Sequence, residues 1–396
     1  MARLGLLLLL LVIPLAGASA GVASNAAKTA RSAAPARPEA LRLGITDTAA
    51  AYYDDRTLFP LLREIGARVL RVHLQWGGKR GVARRRPVDA TDPDDPAYDW
   101  RIYDRVVLEA ADAGVDVMFT VFGTPPWANG GAPPTRAPRN AVRLTEFVYA
   151  AAWRYSGEFV RRDGTILPPV RLWTAWNEPN LMIGLVPQWR RVAGRWVPQS
   201  AIDYARICNA VVDGIKATGL EHQRIACGVT AARGNNNPRG AKPSVSPLAF
   251  LRAMKKAGAR GFDAYAHHPY YGTPSEAPST RPRGATAVTL GNLDALEREL
   301  TRLYGNKPIW LTEYGYQTNP PDKIFGVSWS RQASYVRQAV AVARKHPRVE
   351  LLLWFLLQDE EDVARWQSGF IAADGTRKPA FDAFRETSAA LGAEAR

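Results

Sequence analysis

Val170-Arg171-Leu172-Trp173-Thr174-Ala175-Trp176 runs directly into Asn177-Glu178-Pro179-Asn180. The first seven residues are largely apolar and bounded by prolines upstream and a polar turn downstream. That pattern reads as a short strand buried on both faces, as in a parallel sheet. Glu178 stands where the strand stops and a loop begins. A glutamate there costs desolvation free energy unless it has partners or a task. The arrangement returns at Pro308-Ile309-Trp310-Leu311-Thr312-Glu313, again a short apolar run ending on a glutamate.

Outward from these two segments, strand-like runs alternate with amphipathic helical stretches. The strand candidates are 41–45, 67–74, 115–121, 170–176, 224–229, 262–267, 309–312 and 350–356. Helical candidates follow at 57–66, 100–114, 141–159, 201–219, 247–258, 290–304, 331–346 and 379–391. Apolar residues recur at helical spacing in them, as at Leu293, Leu296, Leu300 and Leu303. Gly66, Gly114, Gly219 and Gly258 fall at or just past helix ends, where a left-handed cap is favoured. Eight such alternations predict an α/β fold, a single-domain (β/α)8 TIM barrel. The competing doubly wound sheet usually carries a Gly-rich phosphate loop after its first strand. Here the first strand leads into Asp47-Thr48-Ala49.

The connections are asymmetric. Segments 123–140, 180–199, 271–288 and 358–378 follow strands and are long and rich in Pro, Gly and aromatics. Helix-to-strand connections are short. Long loops after strands belong to the C-terminal face of a barrel, where catalytic residues collect. Glu178 and Glu313 end the fourth and seventh strands and are expected on that face. Two carboxyls on different strands of one barrel are the usual equipment for cleaving a glycosidic bond.

At these residues the sequence resembles the retaining glycoside hydrolases of the four/seven (β/α)8 barrel clan, clan A. That clan includes the family 5 cellulase-like and family 39 xylosidase-like enzymes. The resemblance runs from Leu41 to about Phe384 and implies a glycosidase hydrolysing O-glycosyl compounds. It implies Glu178 as acid/base and Glu313 as nucleophile. Arg71, in Val69-Leu70-Arg71-Val72, resembles the strand-two arginine that orients and ionises the nucleophile. Asn177 resembles the asparagine that binds the sugar 2-hydroxyl. His268-Pro269-Tyr270 resembles the clan's His-x-Tyr, whose phenol contacts the nucleophile. Trp354 resembles the tryptophan that floors the first sugar subsite; its competing role is barrel core. Trp76, Trp127, Trp189, Trp196, Tyr271, Tyr316 and Trp366, in or near strand-end loops, are further candidate sugar-binding aromatics, against ordinary loop packing.

The chemistry agrees with that assignment. A retaining mechanism needs two carboxyls roughly 5–5.5 Å apart, one ionised and one protonated. A guanidinium favours the ionised Glu313, and a less polar setting keeps Glu178 protonated. No cofactor is implied. Adjacent His267 and His268 point to opposite faces of a strand, so they do not readily share an ion, and no metal site is expected. A glycan-binding pseudoenzyme and a transglycosylase are the alternatives on the same barrel.

The N-terminus reads as an export signal over residues 1–20. Arg3 precedes an apolar run from Leu4 to Leu15, and Ala18-Ser19-Ala20 offers a cleavage site. The run is short for a membrane span; an uncleaved signal anchor is the alternative. Residues 21–39 form an Ala/Ser/Pro-rich spacer, and the catalytic domain occupies 40–396. A secreted or cell-envelope protein is expected, with no integral membrane segment after signal cleavage. A monomer acting on carbohydrate is expected.

Lys and Arg number 52 against 37 Asp and Glu, a formal net charge of +15. Most basic residues are dispersed and accompany no nucleic-acid motif, so no nucleic-acid partner is expected. Either a solvated basic surface or a polyanionic substrate or envelope polymer accounts for the charge. Cys208 and Cys227 fall on a helix and the strand after it. One disulfide and two buried thiols are both open.

Overall fold

The structure, a computed structural model, describes residues 41–284 and 286–394. The export signal, the spacer and residue 40, which opens the expected domain, lie outside the described residues. Eight parallel strands close a barrel: β1 (Arg42–Thr46), β2 (Val69–Gln75), β3 (Asp116–Phe122), β4 (Leu172–Ala175), β7 (Arg224–Ala231), β8 (Ala264–His268), β9 (Ile309–Tyr314) and β10 (Val349–Phe355). Their order around the barrel follows the chain, and β10 closes onto β1. Two short strands outside the barrel, β5 (Arg190–Val192) and β6 (Arg195–Val197), form a hairpin in the loop after β4.

Helices cover the outside. They include α2 (Asp55–Glu64), α3 (Arg101–Ala113), α5 (Val142–Arg154), α6 (Gln199–Lys216), α7 (Pro247–Lys256), α8 (Asp294–Tyr304), α9 (Trp329–Ala343) and α10 (Pro379–Glu394). Short helices α1 (Thr48–Tyr53) and α4 (Pro126–Asn129) decorate loops at the strand ends. Helix α3 stops at Gly114, whose φ of 70° takes the left-handed cap that a side chain disfavours. Helix α5 ends at Arg154, short of the expected 159, because Tyr155 leaves helical geometry and Val160 pairs with Ile166.

Side-chain alternation divides the core in two. Val69, Met118, Leu172, Ala226, Ala264, Trp310, Leu351 and Leu353 pack together inside the barrel. Neighbours on the same strands, such as Leu70, Val72, Trp173, Leu311 and Leu352, pack outward against the helices. That parity places Arg71 inside, two residues beyond Val69. Cys208 of α6 and Cys227 of β7 form a disulfide with S–S 2.14 Å, so helix and strand are joined covalently.

Candidate active site

The end of β4 is built to expose a carboxylate. Trp176 and Glu178 both take positive φ, 68° and 42°, in the left-handed region that bulky side chains avoid. The backbone is held there by neighbours. Trp176 N donates to Val121 O at 2.8 Å, and Glu178 N donates to Val229 O at 2.9 Å. The Trp176 indole donates to Gly184 O at 2.8 Å, folding the loop back beneath the glutamate. A Cβ on Gly184 would lie 2.2 Å from Glu178 O and 2.3 Å from Asn177 O, so only glycine fits. Asn180 is buried, accepting from Ala231 N and donating to Ala231 O, Arg233 O and Val245 O. It ties this loop to the next one.

The end of β9 uses a different device. Leu352 pairs with Leu311, but the next pair is Trp354 with Tyr314. Two residues on β9 therefore face one on β10, the arrangement of a β-bulge. Thr312 and Glu313 both turn toward the barrel mouth as a result: Thr312 Oγ1 meets His268 Nε2 at 3.0 Å, and Glu313 meets Arg71.

Arg71 organises the floor. It is fully buried, and each of its nitrogens has an acceptor. Nη1 donates to Glu313 Oε1 at 2.6 Å, Nη2 to Asn177 Oδ1 at 2.7 Å, and Nε to Thr120 Oγ1 at 2.8 Å. One guanidinium thereby fixes the carboxylate from β9 and the amide from the β4 loop.

His268 bridges the two glutamates. Its Nδ1 lies 3.0 Å from Glu178 Oε1 and 3.5 Å from Glu313 Oε2. Burial, with the Arg71 charge, lowers its pKa to about 3 despite the Glu313 carboxylate, so the ring is neutral. Tyr270 donates its hydroxyl to Glu313 Oε2 at 3.4 Å, and burial raises its pKa well above the usual value. The side chains of Glu178 and Glu313 retain 13% and 10% of their exposure, enough to meet a substrate. Burial raises the Glu178 pKa to about 7, with Arg71 opposing. One oxygen of each glutamate and one ring nitrogen of His268 lie within 4.8 Å of one another. Two carboxylates and an imidazole are a conceivable cation cage. Arg71 already occupies one oxygen of Glu313 and adds a fixed positive charge there, which repels a divalent cation.

The structure thus brings together Glu178, Glu313, Arg71, Asn177, His268 and Tyr270. Trp354, Trp76 and Trp127 go elsewhere. Trp354 is 2% exposed and faces the helices, because Leu351 and Leu353 take the inward positions of β10. Its indole donates to Ser368 O at 2.7 Å, and its ring lies edge-on to Tyr314 at 5.8 Å. It belongs to the outer core of the barrel wall. Trp76 is fully buried, between Trp127 at 5.6 Å and Phe147 at 5.8 Å. Trp127 is half-buried, with its indole donating to Ala83 O at 2.8 Å. Both pack the wall beneath the loops.

The aromatic surface beside the carboxylates is Trp366, from the loop after β10. It is 38% exposed, 5.4 Å from the ring of Tyr270 and 5.3 Å from that of Phe355. Its loop is anchored by a buried ion pair, Lys378 Nζ to Asp359 Oδ2 at 2.6 Å. His73 is a further residue of the floor, two positions beyond Arg71. It stacks on Phe122 at 5.4 Å, bonds Asn177, and burial lowers its pKa to about 3. Strand parity from Arg71 is the signal that points to it.

A family model described as the glycosyl hydrolase catalytic core matches residues 248–384, a stretch that holds His268, Tyr270 and Glu313. Solved structures share the barrel. A family 39 glycoside hydrolase from the gut symbiont Bacteroides cellulosilyticus WH2 superposes with a TM-score of 0.61 at 18% identity, over 90% of this chain. The chain thus shares the (β/α)8 barrel of these glycoside hydrolases, and its residues 248–384 match the glycosyl hydrolase catalytic core.

Two further glycoside hydrolase structures cover 90% of the chain. A glucosidase from Croceicoccus marinus matches over 68% of its own length, with TM-score 0.64 and 14% identity. A GH5_18 protein from Streptomyces cattleya, solved with GlcNAc, matches over 82% of its length, with TM-score 0.59 and 15% identity. The chain spans 64% of the length of the family 39 structure. Identities this low speak for the fold. No curated protein matches the sequence significantly.

Proposed function

We propose that the protein is a glycosidase that cleaves β-linked O-glycosides in an oligo- or polysaccharide by double displacement, with retention of configuration. The observation that carries this reading is the different surroundings of two carboxyls. Glu313 is held by Arg71 at 2.6 Å, while Glu178 is desolvated and keeps its proton up to about pH 7. An ionised nucleophile beside a protonated acid is what double displacement requires.

In the first step the Glu313 carboxylate attacks the anomeric carbon while Glu178 gives its proton to the departing glycosidic oxygen. The C–O bond breaks and a glycosyl ester forms on Glu313. In the second step the Glu178 carboxylate takes a proton from water, the water oxygen bonds the anomeric carbon, and the ester opens. Asn177, fixed by Arg71, offers its amide nitrogen to the sugar 2-hydroxyl, a bond that strengthens as the oxocarbenium-like state develops. Tyr270 and His268 orient the two carboxyls. Trp366 offers the sugar a stacking face in place of Trp354.

The protein is exported in this reading. The N-terminal signal pattern supports that, as does the Cys208–Cys227 disulfide, a bond favoured in oxidising compartments. No helix among the described residues is long and apolar enough to cross a membrane. The test is turnover of aryl β-glycosides by Glu178→Ala with added azide. Formation of a β-glycosyl azide supports the roles assigned; an unreactive variant with and without azide counts against them.

A further inference from the structure

The net positive charge is unevenly distributed. On the helical exterior arginines meet carboxylates: Arg252 pairs with Glu299, Arg260 with Asp213, Arg337 with Glu386 and Arg344 with Glu394. The barrel mouth differs. Segments 123–141 and 179–199, the loops after β3 and β4, contain Arg136, Arg139, Arg190, Arg191 and Arg195 and no Asp or Glu. Segment 232–246, after β7, has no acidic residue and adds Arg239 and Lys242 beside Arg233, which Glu276 pairs at 3.3 Å. Among the described residues none of the other seven cations has a carboxylate within ion-pair distance.

These loops form one rim. Arg136 pairs by backbone with Val186 across the two loops, and Val186 N donates to Thr135 O at 3.0 Å. Arg136 and Arg139 line a cavity of about 420 Å³ together with Asn129 and Asp203. Asp203 pairs with Arg206 at 3.3 Å and Gln199 at 2.9 Å, and Arg190 and Arg136 act on its carboxylate only from beyond ion-pair distance. The β5–β6 hairpin sets Trp196, 39% exposed, directly across from Arg191. An exposed indole face beside guanidiniums suits a sugar ring that carries a negative substituent. Across the mouth the balance reverses, since the loop after β10 carries Asp359-Glu360-Glu361-Asp362.

Glu178 opens the loop that carries the hairpin. A general acid must lie beside the glycosidic oxygen, so the leaving half of the substrate extends over the arginine rim. We infer that the substrate is an anionic glycan whose leaving-group half, bearing carboxylate or sulfate groups, lies along the arginines of the loops after β3 and β4. The inference rests on the glycosidase reading for the direction of the chain, while the binding it describes is independent of turnover.

The test is binding of the purified protein, by affinity electrophoresis and calorimetry, at low and moderate salt. The probes are polygalacturonate, dextran sulfate, neutral xylan and mannan, and duplex DNA. The variants are Arg136→Gln/Arg139→Gln and Arg190→Gln/Arg195→Gln, with Arg337→Gln/Arg344→Gln on the far helices as control. The expected result is at least tenfold tighter binding of an anionic than of a neutral glycan, weakening with salt. Each rim double variant should lose about tenfold for the anionic glycan and nothing for the neutral ones. The control should match wild type. Whether polygalacturonate or dextran sulfate responds identifies the substituent. Equal binding of neutral and anionic glycans, or unchanged binding in both rim variants, overturns the inference. Duplex DNA bound as tightly and lost in the same variants overturns it too, as general polyanion attraction. Turnover of neutral aryl glycosides without anionic preference removes this inference alone. Anionic binding with no turnover of any substrate removes the glycosidase reading alone.

Discussion

Arg71 and Glu313 form an ion pair at 2.6 Å in which the guanidinium is wholly buried and the carboxylate nearly so. Burying both charges is costly, and the pair persists because Asn177, Thr120 and Thr312 accept the remaining guanidinium hydrogens. The strand-two arginine thus sets the geometry of both catalytic candidates, one directly and one through the amide next to it in sequence.

Replacing Arg71 with Met should leave a buried carboxylate without its counter-charge. Losses of this kind are on the order of 3–5 kcal/mol. A lowered Tm and a fall in kcat/KM of about 10² or more are expected. Thermal denaturation and kinetics on one aryl glycoside check both.

The same variant carries a pH prediction. Glu178 must be protonated to act as acid, and its pKa is raised to about 7 by burial, with Arg71 opposing. In wild type the rate should therefore fall as pH rises through about 7. Removing the positive charge removes the opposing influence, so the basic limb should move to higher pH in Arg71→Met. A profile of kcat/KM against pH for both proteins decides it. A basic limb that stays in place would mean that Arg71 does not act on Glu178.

Gly184→Ala should impair the enzyme without touching a reacting group. The added Cβ would lie 2.2 Å from Glu178 O, so the loop or the glutamate must shift. A shift of the acid by about 1 Å is enough to cost roughly 10²-fold in rate. Steady-state kinetics should show a loss in kcat, with far-UV circular dichroism unchanged.

The barrel, the order of its strands and the strand ends that carry Glu178 and Glu313 were legible because the apolar period repeats in each unit and glycines stand at four of the helix ends. Arg71 and His268 were legible through their resemblance to the clan's motifs, and strand parity from Val69 and Ala266 agrees with their inward positions. Trp354 shows where parity needs more than a motif. Its β10 neighbours Leu351 and Leu353 take the inward positions, and nothing in the run Leu351-Leu352-Leu353-Trp354 distinguishes the two faces. The bulge that turns Thr312 and Glu313 inward together is a pairing irregularity between strands far apart in sequence, with no local signature. The β5–β6 hairpin also escaped notice, because its strands have only three residues each and flank Ala193-Gly194 within a basic, exposed stretch.

Trp366 and Trp354 should separate cleanly under substitution. Trp366→Ala removes an exposed ring beside Tyr270 and should raise KM about five- to tenfold, with Tm little changed. Trp354→Ala opens a cavity in the outer core and should cost about 3–5 kcal/mol of stability. Parallel Michaelis–Menten and thermal measurements distinguish them; the reverse pattern would return the sugar platform to Trp354.

Chelation is a further check, because Glu178, His268 and Glu313 place possible ligand atoms within 4.8 Å. Activity should be unchanged after prolonged dialysis against EDTA. Loss of activity restored by one divalent cation would show that the triad holds a metal.

The covalent intermediate tests the central claim most directly. The protein is incubated with a panel of activated 2-deoxy-2-fluoro β-glycosides, which slow hydrolysis of the glycosyl ester more than its formation, and its peptides are analysed by mass spectrometry. With a sugar that the enzyme turns over, the account predicts one fluoroglycosyl group on the peptide containing Glu313, in wild type and not in Glu313→Gln. A label on Glu178, or no label with that sugar while the parent glycoside is hydrolysed with inversion, would contradict it.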